Sequence, residues 1–156
     1  MSLGGATSVR SGTWICPRCG APFANANASH SCVNIDVAGH FATSEPRVRA
    51  AFDRLVQLAS VESPVSVIAQ KTRIVFAAPM RFLAIHVRRD RLTGHVFHVQ
   101  PVPHPVVSEI VPDAYGSGLY MHRITIRSPD ELDASFAQLV RDAAGQVGRR
   151  ERFVTP

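Results

Sequence analysis

The sequence predicts an α+β domain: an antiparallel β-sheet bracketed by an N-terminal and a C-terminal helix. Residues 44–60 and 128–144 each place apolar side chains at offsets 0, 4, 7, 8 and 11, which is one face of a helix. The stretch between them breaks into short β-branched runs separated by turn signals. A third observation sets a small element in front of this domain: all three cysteines of the chain fall within residues 16–32.

The first helical stretch is SEPRVRAAFDRLVQLAS, with the stripe Val48, Phe52, Leu55, Val56 and Ala59. Ser44 is expected to cap it, and Pro46 suits its first turn. Arg47, Arg49, Asp53 and Arg54 lie off the stripe and read as a solvated face. The second is SPDELDASFAQLVRDAA, with the stripe Leu132, Phe136, Leu139, Val140 and Ala143. Ser128 and Glu131 have capping-box spacing, and Pro129 stands at the expected first helical position. Acidic residues crowd this N-terminal turn, where the helix dipole favours them. Gly145 is the expected stop.

Strands are expected over 65–70, 72–77, 82–88, 92–99, 106–111 and 119–127. Gly94, inside one of them, implies a bulge or a close approach. PVPHP at 101–105 reads as a loop, and DAYGSGLY at 113–120 as a hairpin turn whose glycines also permit an anion nest.

The cysteines stand in CPRCGAPFANANASHSC. Cys16 and Cys19 have CxxC spacing, and His30 and Cys32 have HxC spacing. A CxxC knuckle presents two thiolates from one turn, and side chains two apart on an extended segment point the same way. Together they make a Cys3His set, the tetrahedral soft-ligand shell that zinc prefers. His40 is the alternative fourth ligand. A disulfide framework would leave an odd thiol, and Gly20 and Pro22 disfavour the helix that follows a redox CxxC. Four protein ligands close the shell, so the expected Zn2+ is structural: it stabilises a segment too short to bury a core of its own. The expected organisation is a flexible tail at 1–12, a zinc-finger-like element at 13–43, the α+β domain at 44–146, and a basic tail at 147–156. Trp14, Ile15 and Phe23 are the expected mini-core beside the metal, with base stacking as the sharper reading of Trp14 and Phe23.

The formal net charge is +5, and it is unevenly spread. Residues 1–45 sum to zero; residues 46–99 hold nine basic and three acidic groups, +6; residues 100–156 hold six and seven, −1. By strand alternation, Lys71, Arg73, His86, Arg88 and Arg123 are expected to converge on one sheet face. Such a face is either an ordinary solvated surface or a platform for phosphates. Lys71 is the only lysine, so the basic excess also fits a compositional origin. No apolar run approaches a membrane span, and MSLGGATSVRSG has no signal-like apolar region, so a cytoplasmic location is expected.

QKTRIVFAAPMRF (70–82), the GH step at 94–95 and HRITIRSPDELDASFAQLVRDA (122–143) resemble a bacterial domain of unknown function, family 5655. The resemblance, with the preceding CPxCGxxFxxxxxSHSC segment, runs over roughly residues 13–145. It implies one compact α+β unit behind a zinc-finger-like element and brings no catalytic residues with it. No nucleophile elbow, HExxH or P-loop pattern is present. The best catalytic constellation left is Lys71, Arg73, His86 and His122, and an enzyme is not the expectation. The expected function is a zinc-stabilised binding protein that takes DNA or RNA through the basic sheet face. The alternative is a module that binds another protein or a small ligand without catalysis, with no membrane partner.

Overall fold

The structure is a computed structural model and describes residues 14–17, 22–23, 36–62 and 64–149. At the N-terminus β1 (Trp14–Ile15) pairs antiparallel with β2 (Pro22–Phe23). A single turn, α1 (Val37–His40), follows, with the Asp36 carboxylate accepting from the Ala38 N–H. Val37 and Phe41, in the stretch expected to belong to the zinc-finger-like element, pack against the main core; the Phe41 ring lies 5.0 Å from Phe52.

The first apolar stripe forms α2 (Pro46–Ala59). Val48, Phe52, Leu55 and Ala59 are buried along it, joined by Ala51 and Leu58. Pro46 opens the helix as expected, but Ser44 does not cap it. Glu45 is the N-cap and makes no side-chain cap bond, while the Ser44 hydroxyl bonds back to the Phe41 carbonyl.

Six strands follow: β3 (Ser66–Ala69), β4 (Ile74–Ala77), β5 (Arg81–Val87), β6 (Leu92–His98), β7 (Val107–Val111) and β8 (Tyr120–Ile126). They form one antiparallel sheet in the order β3-β4-β5-β6-β8-β7. The second helical stretch is not one continuous helix. Pro129–Glu131 makes a 3-10 turn, in which the Glu131 carboxylate accepts from the backbone N–H groups of Arg127 and Ser128. The chain then restarts as α3 (Ala134–Ala143), capped by Asp133, whose carboxylate accepts from the Phe136 N–H. Nor does Gly145 stop it, because a π-helical turn carries the chain on over Ala144–Gly148. The Met80 N–H donates to the Gly148 carbonyl and ties this end to the β4–β5 turn.

The two long helices contact each other and lie on the same face of the sheet. Their stripes meet Ile74, Phe76, Leu83, Ile85, Leu92, Val96, Ile124 and Ile126 in a single core. Burying side chains of this size stabilises the fold by about 1.5–3 kcal/mol each. A bulge between β4 and β5 changes one expected assignment. Alternation puts Phe82 on the face of Ala84 and His86. The register shift at Phe76/Ala77 inserts Phe82 as an extra residue, and both Phe82 and Leu83 join the core. Gly94 marks a close approach: a Cβ there would lie 2.0 Å from the Ala84 carbonyl oxygen on β5.

Candidate functional site

With both long helices on one side, the sheet keeps a second face that, among the described residues, carries no helix. Cross-strand register arranges it in levels along the strands. At one level His86 stands opposite Thr93, and Thr93 opposite Thr125. At the next, Val75 stands opposite Ala84, Ala84 opposite His95, His95 opposite Arg123, and Arg123 opposite Glu109. At the third, Phe97 stands opposite Met121, and Met121 opposite Val111. Val75, Ala84 and Met121 are buried yet lie outside the helix-side core. They form an apolar floor among longer polar side chains.

Arg73 immediately precedes β4 and shares the parity of Val75, which puts it on this face beside His86. Its Nε donates to the Gln70 side-chain oxygen at 2.8 Å. His86 Nδ1 donates to the Thr72 carbonyl at 3.0 Å and pins the β3–β4 turn. Arg123 Nε meets the Glu109 carboxylate at 2.9 Å, with both side chains more than half exposed. Glu109 is the one carboxylate among the described strand residues of this face.

His95 occupies the centre. Burial holds its pKa below the usual imidazole value, and the nearby charges of Arg73, His86 and Arg123 lower it further. Those neighbours come from the residue before β4, from β5 and from β8, so three cationic or ionisable groups surround His95. Arg81, at the start of β5 and paired with Ala77, is also held below its ordinary pKa, first by burial and then by Arg73. Sequence alternation did not identify His95 or Arg81 as site residues. His95 follows Gly94 on a strand whose partner register cannot be read locally, and Arg81 lies on the far side of the bulge.

Lys71 and Arg88 sit at loop tips instead of on the sheet surface. Lys71 lies in the tight turn closed by the Gln70 N–H and the Arg73 carbonyl, and Arg88 begins the β5–β6 turn, bonding to Arg91. Both are exposed, at the same end of the sheet. Of the expected cluster, Arg73, His86 and Arg123 share the face itself. The rest of the basic excess in residues 46–99 is dispersed: Arg47 pairs with Glu45, Arg49 with Asp53, and Arg91 with Asp90, all on exposed surface.

At the opposite end, aromatic rings continue the line. The Phe97 ring lies 5.2 Å from His95, edge to face, and 6.5 Å from Tyr115, tilted by 54°. Tyr115 is 85% exposed and belongs to the β7–β8 loop. This loop holds four residues at positive φ: Asp113, Tyr115, Gly116 and Gly118. It is braced internally, with the Asp113 carboxylate accepting from the Gly118 N–H at 2.7 Å and the Ser117 hydroxyl donating to the Ala114 carbonyl at 2.6 Å.

His98, His104 and His122 make contacts within the fold. His122 is fully buried on the core face. It accepts from the Val102 N–H at Nε2 and meets the Tyr120 carbonyl at Nδ1, which fixes the neutral ring, and burial lowers its pKa. It therefore lies on the opposite side of the sheet from Arg73 and His86, and the constellation Lys71, Arg73, His86 and His122 is not assembled. His98 stacks edge-on at 6.0 Å from His122, and His104 donates to the Asp133 carboxylate. Among the described residues no group of three or more His, Cys, Asp or Glu side chains is arranged to hold a metal.

Of the expected zinc ligands, Cys16 directly follows β1 and is 3% exposed. Cys19, His30 and Cys32 lie outside the described residues. His40 is engaged elsewhere: its Nε2 donates to the Gln70 carbonyl at 2.8 Å. No described helix is long and apolar enough to cross a membrane.

A family model described as a domain of unknown function (DUF5655) matches residues 37–146. No curated protein and no solved structure matches the chain.

Proposed function

Because the chain belongs to DUF5655, a family whose description names no activity, we propose a function from the chemistry of its surface: it binds nucleic acid through the helix-free face of the sheet. The observation that carries this reading is the surround of His95. Arg73, His86 and Arg123 converge on it from the β3–β4 turn, β5 and β8, and Glu109 is the single opposing carboxylate among the described strand residues there. Like charges gathered at this density repel one another, and a row of phosphates relieves that repulsion while releasing counterions. Arg73 and Arg123 each commit only Nε to a described neighbour, so their terminal nitrogens remain for phosphate oxygens. Lys71 and Arg88, exposed at the turn tips, extend the positive field beyond the sheet.

The N-terminal element is a structural zinc site in this reading, with Cys16, Cys19, His30 and Cys32 as ligands. Two features support it. β1 and β2 pair antiparallel on either side of the CxxC pair, and Cys16, directly after β1, is buried. The bond from His40 to the Gln70 carbonyl favours His30 as the fourth ligand. With its shell closed by protein, the zinc holds the element together and performs no chemistry.

The test is a fluorescence-anisotropy titration of the full, zinc-quantified chain with labelled DNA and RNA at low and moderate salt. Micromolar or tighter binding that falls steeply with salt is expected. Arg73→Gln and Arg123→Gln should each flatten the log–log salt slope by about 0.7–0.9. Absence of binding at low salt would leave the basic charge as composition alone.

A further inference from the structure

We propose that the nucleic acid taken by this face is single-stranded, with its bases stacked on Phe97 and Tyr115 and its backbone running toward His95, Arg73 and Arg123. The inference rests on the preceding reading and names the ligand class for the same surface.

Its basis is the placing of Tyr115. A tyrosine at φ 54° sits in the left-handed region, which non-glycine side chains adopt only at a cost. Structural aromatics recover such costs by burial, but Tyr115 is 85% exposed. The loop is built to keep it there, cross-braced by Asp113 and Ser117, with two glycines after the tyrosine at φ 70° and 78°. The ring is not isolated either: it stands 6.5 Å from Phe97, which in turn stands 5.2 Å from His95. Three flat rings thus extend the basic levels toward one end of the sheet. The His86 level and the Phe97 level are four residues apart on β6, about 14 Å along the strand. An extended strand laid along this line meets cations first and ring faces last.

A duplex cannot use this arrangement, because its bases are stacked on one another and offer only edges and phosphates. Unpaired bases have exposed π-faces, and stacking on protein aromatics is tolerant of sequence. Inorganic polyanions would be served by the cationic levels alone and leave the exposed Tyr115 ring without a role.

The experiment uses the full, zinc-quantified chain and three probes: labelled oligothymidylate, a labelled d(A·T) duplex of equal length, and inorganic polyphosphate as competitor. The single strand should bind about tenfold more tightly than the duplex. Tyr115→Gly should weaken single-strand binding by about fivefold or more, leave polyphosphate competition unchanged, and leave the thermal midpoint equal or higher, since glycine is at ease at this φ. Phe97→Leu, which keeps apolar volume on the face, should weaken single-strand binding in the same way. Equal affinity for duplex and single strand, or an unaffected Tyr115→Gly, would overturn the stacking inference while leaving the basic face as a polyanion site. A Tyr115→Gly chain that melts earlier and loses all probes alike would mark Tyr115 as structural and overturn it too. Failure of all three probes at low salt would remove the binding function together with the inference.

Discussion

His95 stands directly opposite Arg123 across the β6–β8 pairing, at the middle of the helix-free face. Burial lowers the pKa of this imidazole, and the charges of Arg73, His86 and Arg123 around it lower it further. That gives the surface a pH response whose sign can be worked out.

The ordinary pKa of the ring is 6.5, and the folded value lies lower. The unfolded chain therefore takes up this proton before the folded one does. The His95 contribution to stability is whole above about pH 6.5 and declines as pH falls below it. A phosphate beside the ring acts in the opposite sense, raising its pKa, so binding draws in a proton. Affinity for nucleic acid should increase as pH falls from 8 toward 5.5. His95→Gln should remove most of that slope, as read by anisotropy across a pH series. An affinity unchanged over this range in the native chain would show that no phosphate reaches His95.

Gly94→Ala should be strongly destabilising. The new Cβ would lie 2.0 Å from the Ala84 carbonyl oxygen and 3.1 Å from the Ile85 Cα, both backbone atoms of a central strand that pairs on its two edges. No side-chain rotation relieves such a clash. The cost is expected to reach about 3 kcal/mol, measured by the urea midpoint. A loss under about 0.5 kcal/mol would mean that β5 and β6 do not approach as closely as described.

His122→Ala should cost about 2–4 kcal/mol, because it opens a cavity in the core and strips the Val102 N–H of its acceptor. Burial depresses the His122 pKa, so its stabilising effect too is lost as pH falls below about 6.5. The variant should therefore unfold less steeply with acid than the native chain. Circular dichroism along an acid titration distinguishes the two.

Elemental analysis of the purified chain should find about one zinc per molecule. Cys16→Ser and Cys32→Ser should each lower the zinc content, whereas His40→Ala should keep it and lose only the bond to the Gln70 carbonyl. Chelation should leave the thermal transition of residues 37–146 in place, since their core contains none of the expected ligands. Retention of a full complement of zinc by both cysteine variants would refute the Cys3His assignment.

The local elements of the main domain were written in the sequence. Val48, Phe52, Leu55 and Ala59, and then Leu132, Phe136, Leu139, Val140 and Ala143, are buried along the expected stripes, because helical periodicity is a property of neighbouring residues. All six strands lie within the expected runs or one residue outside them for the same reason. The interruption at Leu132 was not legible, since Ser128 and Asp133 are both capable caps and only packing against α2 decides how each is used.

The surface was decided by tertiary structure. Alternation along a strand says which residues share a side, but not which residues of another strand stand beside them. That depends on register, and register depends on turns and bulges. One extra residue moved Phe82 into the core, turn geometry lifted Lys71 and Arg88 to the loop tips, and strand pairing brought His95 among Arg73, His86 and Arg123. A left-handed backbone at Tyr115 then placed a ring beside Phe97. By itself the sequence determined which segments become helices and strands, because these are encoded at short range. Only the folded sheet decided which cations and rings meet, because such neighbours are set by pairings between residues far apart in the chain.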